Sequence, residues 1–355
     1  MNKIKEYWFT AQNIAKYKNG MTIAIFFKML ACRLMYGFGP QDYVLFGFYN
    51  KPFSEAKTYL KKEELEPIQR QVNKEEHRAL VDNKLAFYLH CLAHGLPTPK
   101  IIAVVAKSLD SKYQQDITLV DNVTLLKKVL SQEGNDRYLL KPISGSHGSG
   151  MLRFKYVDER LINDDGEDFN FSEVDDFVQR GYGYILQRCL SPHKELLPVM
   201  PGGSLGTARI VTINVGNQLK IFNPCLRIPL GSNITDNFVH GESRNLATGI
   251  DLESGKLLSV YGADAQGLDL VVSLDCHPES HLALKGIEFP CWDEMLATIT
   301  KAYEAFDNLP TIGWDIALTD EGPCLIEGNW RYDCALLQLA FDKGIKTELP
   351  KLLIR

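Results

Sequence analysis

The sequence predicts an α+β fold with mostly antiparallel sheets. Three observations lead there. From position 137 onward, short apolar runs recur between turns that carry glycine or asparagine. Before position 95, apolar residues fall at helical spacing instead. No internal repeat or low-complexity linker interrupts the 355 residues, enough for two or three structural units around large cores.

Residues 1–80 read as a largely helical region. Stretches 16–36 and 54–70 are helical in pattern, with Gly37, Gly39 and Pro40 between them. A helix over 75–95 follows, ended by Gly95 with Pro97 and Pro99 just beyond. A strand at 101–105 makes residues 81–136 an α/β segment. Strands at 137–143 and 151–157 flank a Gly/Ser loop, and 184–190 is another strand, giving a unit over 137–190. In the remaining unit, 191–355, strands 207–215 and 219–230 meet at Gly216-Asn217, a hairpin signal. A second hairpin turns around Glu253 to Lys256. Residues 292–306 form an amphipathic helix with Trp292, Met295, Leu296, Ile299, Tyr303 and Phe306 on one stripe. A last hairpin spans 313–329, and a final helix 335–343.

Composition is that of a globular protein, 45% hydrophobic and 23% charged. The formal net charge of -5 and the lack of any long Lys/Arg run argue against nucleic acid as a partner. Eight cysteines without a CxxC pair read as free thiols in a reducing cytoplasm. The N-terminus lacks the apolar core and cleavage site of a signal peptide. The apolar stretch 21–36 carries Lys28 and Arg33 and is shorter than the ~20 residues of a spanning helix. It is expected to pack on the main body, with peripheral membrane contact as the alternative.

The loop Ser144, Gly145, Ser146, His147, Gly148, Ser149, Gly150 carries the first chemistry. Its glycines permit positive φ and close backbone approach, so successive N–H groups can cradle phosphate oxygens. Lys141 places a cation on the strand entering it. Neither a P-loop nor a G-x-G-x-x-G fingerprint is present. The competing reading is a plain flexible turn.

The hairpin 313–329 carries the second. A three-residue loop Asp320-Glu321-Gly322 would pair 319 with 323, 315 with 327 and 313 with 329. Alternation would then put Asp315, Glu327 and Asn329 on one face. Two carboxylates and an amide oxygen are hard ligands suited to Mg²⁺. Their neighbours Trp314, Ile316, Leu325 and Ile326 are apolar, which speaks against an incidental acidic hairpin.

Lys141 ahead of a Gly/Ser hairpin, with Asp…Glu-x-Asn on a later hairpin, resembles the ATP-grasp superfamily over about residues 80–345. The motifs TARIVTI, LRIP, DNF, GIDLESGKL, HPES, FPCWDE and GWDIALTDEGPCLIEGN are similar to the sugar-transfer-associated ATP-grasp proteins. The resemblance implies two α+β subdomains clasping ATP, here behind a helical N-terminal extension. It implies that Lys141 and Ser144 to Gly150 bind nucleotide phosphates, and that Lys84 is a second phosphate contact. Gln187, Arg188, Cys189 and Leu190 correspond to the hinge strand whose backbone reads adenine, with Gln187 where an acid is usual. Glu195 is a candidate for the ribose. Asp315, Glu327 and Asn329 are the implied magnesium ligands.

Arg209 and Arg227 lie on apolar strands, where an unpaired charge is costly. They are candidate catalytic residues that hold carboxylate or phosphate oxygens, against a structural salt bridge as the alternative. Asp236, Asn237, His240 and Arg244 mark an irregular polar stretch suited to an active-site loop. His90 and His94, four apart on a helix, lack further metal ligands. The expected activity is a Mg-ATP-dependent carboxylate–amine ligase acting through an acyl phosphate in glycan biosynthesis. Alternatives are a kinase on the same scaffold and a non-catalytic ATP-binding module of a glycan assembly complex.

Overall fold

In the computed structural model, which describes residues 3–110, 113, 117–145 and 150–354, the chain builds two sheets. The first contains β1 (Ile101–Val105), β2 (Leu119–Val120), β3 (Asp136–Pro142), β4 (Leu152–Val157), β5 (Arg160–Ile162) and β6 (Tyr184–Arg188) in the order β2-β1-β6-β3-β4-β5. The second contains β7 (Thr207–Val215), β8 (Gln218–Ile228), β9 (Leu246–Ile250), β10 (Leu257–Ala263), β11 (Val271–Leu274), β12 (Thr311–Thr319) and β13 (Gly322–Asn329) in the order β11-β10-β9-β8-β7-β12-β13. Among the described strands only β1 and β2 pair in parallel. The β7–β8 turn has positive φ at both Gly216 and Asn217, as a two-residue turn matched to strand twist requires.

The helical region is more broken than its periodicity suggests. The stretch 16–36 belongs to two helices, α1 (Lys3–Lys18) and α2 (Thr22–Tyr36), separated at Asn19, which takes positive φ. After α3 (Pro40–Leu45), the stretch 54–70 divides into a 3-10 segment, Phe53–Thr58, and α4 (Lys62–Val72). Between them the Gln338 side chain takes both backbone groups of Leu60, accepting from its N–H at 2.7 Å and donating to its carbonyl at 2.9 Å. A backbone held this way cannot continue a helical ladder.

The helix expected over 75–95 likewise splits, into α5 (Ala79–Asp82) and α6 (Lys84–Ala93). Asn83 is extended, and its Oδ1 accepts from the N–H groups of Leu85 and Ala86, each at 3.0 Å. It is the N-cap of a new helix. Helices α7 (Val123–Glu133) and α8 (Ser172–Gln179) were not expected from the sequence. The amphipathic helix is α9 (Trp292–Ala305). The final helix is shorter than expected: α10 (Ala335–Leu339) stops early, and α11 (Leu349–Ile354) follows.

Burial explains the layering. One face of the six-stranded sheet presents Tyr138, Leu140, Phe154 and Leu186 to α7 and α8. The seven-stranded sheet packs Ile210, Trp314 and Ile316 against Met295 and Ile299 of α9. Its opposite face is covered piecemeal. The N-terminal helices bury Ala247 and Val271, while α4 and α11 bury Val211, Ile213 and Phe222. A window of Thr207, Arg209, Arg227, Asp315 and Glu327 is left uncovered and faces a cleft.

Asn73, directly after α4, ties this cover to the strands. Fully buried, it donates to the carbonyls of Thr311 at 2.8 Å and Trp330 at 2.9 Å, and accepts from Thr311 N at 3.1 Å. Asn73→Ala orphans all three backbone groups at the ends of β12 and β13. Urea unfolding is expected to show a loss of about 3 kcal/mol, since each buried unsatisfied group costs about 1–3 kcal/mol. A loss under about 1 kcal/mol would mean that water replaces the amide.

Candidate active site

The β12–β13 hairpin reaches the anticipated register by a different route. Thr319 pairs with Gly322, so the turn has two residues, not three. Leu318↔Pro323, Ala317↔Cys324 and Ile316↔Leu325 follow, and an even loop kept in step would put Asp315 and Glu327 out of register. A bulge intervenes: after Ile316↔Leu325 the next pair is Asp315↔Glu327, then Trp314↔Gly328 and Gly313↔Asn329. Ile326 is the extra residue. A bulge adds one residue to one strand and resets side-chain alternation. Ile326 and Glu327 therefore both line the cleft, together with Asp315 and Asn329.

Asp315 also pairs with Arg209 on β7, so Arg209, Asp315 and Glu327 form a row across three strands. Arg209 grips the carboxylate with two nitrogens, Nε to Oδ1 at 2.5 Å and Nη2 to Oδ2 at 3.1 Å. From β8, Arg227 Nη2 reaches Asp315 Oδ2 at 2.8 Å. The same Nη2 donates to Thr207 Oγ1 at 2.5 Å and lies 3.3 Å from Asp236 Oδ1, while Nη1 donates to Asn237 at 3.2 Å. Asp236 in turn accepts from the Thr207 N–H and hydroxyl. Arg227 Nε is buried without a partner among the described residues. The salt-bridge alternative for Arg209 and Arg227 is thus realised, and both arginines also line the cleft.

Burial alone would raise Asp315, but Arg209 and Arg227 outweigh it and hold the carboxyl well below its usual range. Glu327 moves the other way. Burial and the adjacent Asp315 push it above the carboxylate range, with Lys84 and Arg209 opposing. Asn329 Nδ2 lies 3.3 Å from Glu327 Oε1.

Lys141 lies on the cleft face of β3, and Lys84 opens α6 beside it; burial lowers the pKa of both. The break at Asn83 explains the second position. Asn83 bridges to Ser144, Lys84 N–H donates to the Ile143 carbonyl at 3.0 Å, and Lys84 Nζ donates to the Gly145 carbonyl at 3.0 Å. The base of the Gly/Ser loop is thereby tied to α6. Ser146, His147, Gly148 and Ser149 lie outside the described residues; Gly145 and Gly150 both take positive φ.

These groups share one cleft of about 1260 Å³ between the sheets, lined also by Leu139, Met151, Gln187, Arg188, Cys189 and Leu190. Gln187 is buried, and its amide donates to the Pro99 carbonyl at 3.0 Å. Glu195 is not among the lining residues; it sits in a short 3-10 turn, Lys194–Leu196, exposed to solvent. His240 lines the cleft, as do Asp236 and Asn237; Arg244 does not. The His90 and His94 rings meet tilted at 4.3 Å, and His90 bonds the Ala305 carbonyl, a packing role. Sequence reasoning missed Thr207, Ile326, Trp330 and Arg331. The last two directly follow Asn329, and their position in the string NWR was the available signal.

Residues 65–352 match the family model described as sugar-transfer associated ATP-grasp. The chain belongs to that family. Solved ATP-grasp structures with a similar overall arrangement include N5-carboxyaminoimidazole ribonucleotide synthetase in its ADP complex, at 11% identity and a TM-score of 0.40, covering 72% of this chain and 46% of that one. D-alanine–D-alanine ligase from Bacillus anthracis gives 14% and 0.43, covering 79% and 69%. D-cycloserine synthetase gives 13% and 0.40, covering 79% and 73%. The chain spans less than half the length of the first of these. A search of curated proteins gave no match.

The ATP-grasp match implies magnesium, and the donor set can be weighed for it. Among the described residues no three His, Cys, Asp or Glu side chains cluster as a metal site, so any site here rests on two carboxylates and an amide. Asp315 and Glu327 are paired across β12 and β13, and burial together with that neighbour disfavours ionisation of Glu327. A cation relieves that repulsion, and hard oxygen donors suit Mg²⁺. The set fits.

The two acids should respond oppositely to substitution. Asp315→Asn strands two buried guanidiniums and should cost about 3–5 kcal/mol at neutral pH. Because the folded pKa of Asp315 is depressed, that deficit should shrink as pH falls through the acid range. The folded pKa of Glu327 is raised, so its contribution is fully present below the unfolded value, about 4.3, and is lost as pH rises through the folded value. Without nucleotide or metal, Glu327→Gln should therefore raise Tm relative to the parent at pH 8, with the gain fading toward about pH 4. Calorimetry across that range checks both signs.

Proposed function

We propose that this ATP-grasp protein is a Mg-ATP-dependent carboxylate–amine ligase. The observation that carries the reading is the convergence of Lys84, Lys141, the base of the Gly/Ser loop and the Asp315–Glu327–Asn329 row on a single cleft between the two sheets. One wall offers cations and loop backbone for phosphates, and the other offers oxygen donors for a metal. Leu139, Met151, Leu190 and Ile326 supply the apolar surface that a flat adenine ring needs.

In this reading Lys84 and Lys141 hold the nucleotide phosphates, and the backbone at Ser144 and Gly145 begins the phosphate cradle. Asp315, Glu327 and Asn329 would hold magnesium, which would supply neutralisation of charge on the phosphates. Arg209 orients Asp315. Arg227, which lines the same cleft, is the arginine assigned to the acyl-donor carboxylate as its oxygen attacks the γ-phosphorus and ADP leaves. The amine then attacks the acyl phosphate, releasing phosphate and forming an amide. Exclusion of water protects that intermediate.

The family's description supports a role in polysaccharide or cell-surface glycan synthesis, with a sugar acid or amino acid as the first carboxylates to try. The eight free cysteines support a cytoplasmic site of action.

Two measurements test the proposal. ADP release should require both a carboxylate and an amine from a panel led by sugar acids and amino acids. ADP formed with a carboxylate alone, with a stable phosphorylated product, would make the protein a kinase. Lys141→Ala should fold normally, because it removes a poorly solvated cation, and should weaken ATP binding about tenfold or more, as loss of a charge-assisted contact implies. Unchanged ATP affinity would remove Lys141 from the nucleotide site.

A further inference from the structure

The hairpin of α1 and α2 precedes the ATP-grasp match, which begins at residue 65. Its inner side is ordinary. Ala11 and Ile14 of α1 and Met29 and Cys32 of α2 are buried in a cluster that also takes in Phe238, Val271 and Leu339 of the main body. Its outer side is also apolar. Ile23, Phe27 and Leu34 repeat at spacings of four and seven, which sets them on one stripe of α2. They are 61%, 61% and 79% exposed. Ile4, Trp8 and Phe9 of α1 and Met21 and Met35 beside the stripe are exposed as well. The two helices' patches are continuous: the Trp8 ring lies 5.7 Å from Phe26, and Phe26 lies 5.5 Å from Phe27. Isolated exposed apolar residues are normal on a protein surface, whereas a contiguous aromatic and aliphatic face marks a contact.

Charge selects the occupant. Between residues 3 and 36 the sequence carries Lys3, Lys5, Lys16, Lys18, Lys28 and Arg33 against a single acid, Glu6, in a chain whose net charge is -5. All six cations are exposed. A second copy of this face would set like-charged rims against each other. An anionic bilayer satisfies both features, since apolar side chains enter the headgroup–acyl boundary while Lys and Arg stay with the lipid phosphates. Among the described residues no helix is long and apolar enough to cross a membrane. We propose that the α1–α2 hairpin lies in the surface of an anionic membrane and holds the ATP-grasp body there. This stands apart from the catalytic reading and survives its failure.

Trp8 supplies a direct probe. Of the four tryptophans, Trp292, Trp314 and Trp330 are buried and Trp8 is 41% exposed. Vesicles containing phosphatidylglycerol should shift the emission to the blue and carry the full-length protein in flotation. Pure phosphatidylcholine vesicles should do so at least tenfold more weakly. The triple variant Ile23→Ser, Phe27→Ser, Leu34→Ser should abolish flotation with an unchanged Tm, since the side chains replaced are exposed. Each Lys→Gln change among the five lysines, or Arg33→Gln, should weaken partitioning by about fivefold, and added salt should also weaken it. Trp8→Phe should still float but lose the spectral shift, tying the signal to the patch. No flotation on either vesicle, or a dimer in light scattering that the triple variant dissolves, would overturn the proposal, the latter in favour of a second copy as the occupant.

Discussion

The placement of Asp315 constrains the rest of the site. A carboxylate on a central strand is tolerable because two guanidiniums meet it, Arg209 from β7 and Arg227 from β8. Each of these needs its own support. Arg227 finds it in Thr207, Asp236 and Asn237, so the polar stretch after β8 is held against the sheet by the same charge that stabilises Asp315. An ionic cluster of this kind cannot lie beneath a packed helix without losing the water and ligand access that make it useful. The cover on that face is accordingly divided between the N-terminal helices and the pair α4 and α11, with the cluster in the gap.

Much of this was legible. Short apolar runs between turn residues located the strands, and those buried on both faces, such as β9 and β12, read as nearly continuous apolar stretches. The Asp…Glu-x-Asn spacing located the cleft's acidic wall. Sequence reasoning reached its register through a three-residue turn, whereas the chain uses a two-residue turn and a bulge. The two devices add the same single residue to β13, so the far end of the hairpin is unchanged and the near end is shifted. Gly322 takes the positive φ that the three-residue loop calls for, yet the ladder already pairs it with Thr319. Only the bulge, however, brings Ile326 to the same side as Glu327.

What was not legible depends on partners far away in sequence. Helical periodicity over 75–95 gave no sign of the break at Asn83, because that break is supported by Ser144, about sixty residues on. The interruption before α4 rests on Gln338, almost three hundred residues away. In both places a polar side chain competes with the helical ladder, and whether it wins is decided by tertiary contacts. Glu195, assigned to the ribose by resemblance, sits in an exposed 3-10 turn and is not among the cleft-lining residues.

The break at Asn83 also explains how two sheets can act on one ligand. The segment from Ala79 to Ala93 touches both. Val81 and Phe87 pack on the α9 side of β13, so closely that a Cβ on Gly328 would stand 2.9 Å from Val81 Cγ1. A glycine is needed there, between Glu327 and Asn329, because the strand's back must accept this contact while its front presents the donors. Two residues after Val81 the chain leaves the helix, bridges to Ser144 and places Lys84 on the carbonyl of Gly145. The base of the Gly/Ser loop is thus fixed to the strand that bears Glu327 through one short segment, and not through the long chain path between residues 145 and 327. Burial keeps Lys84 and Lys141 poorly solvated, and burial together with the neighbouring Asp315 disfavours ionisation of Glu327. One wall therefore holds two poorly solvated cations, and the other a carboxyl that ionises readily only with a cation beside it. A phosphate chain carrying a divalent cation satisfies both at once, whereas either alone leaves one wall unpaid.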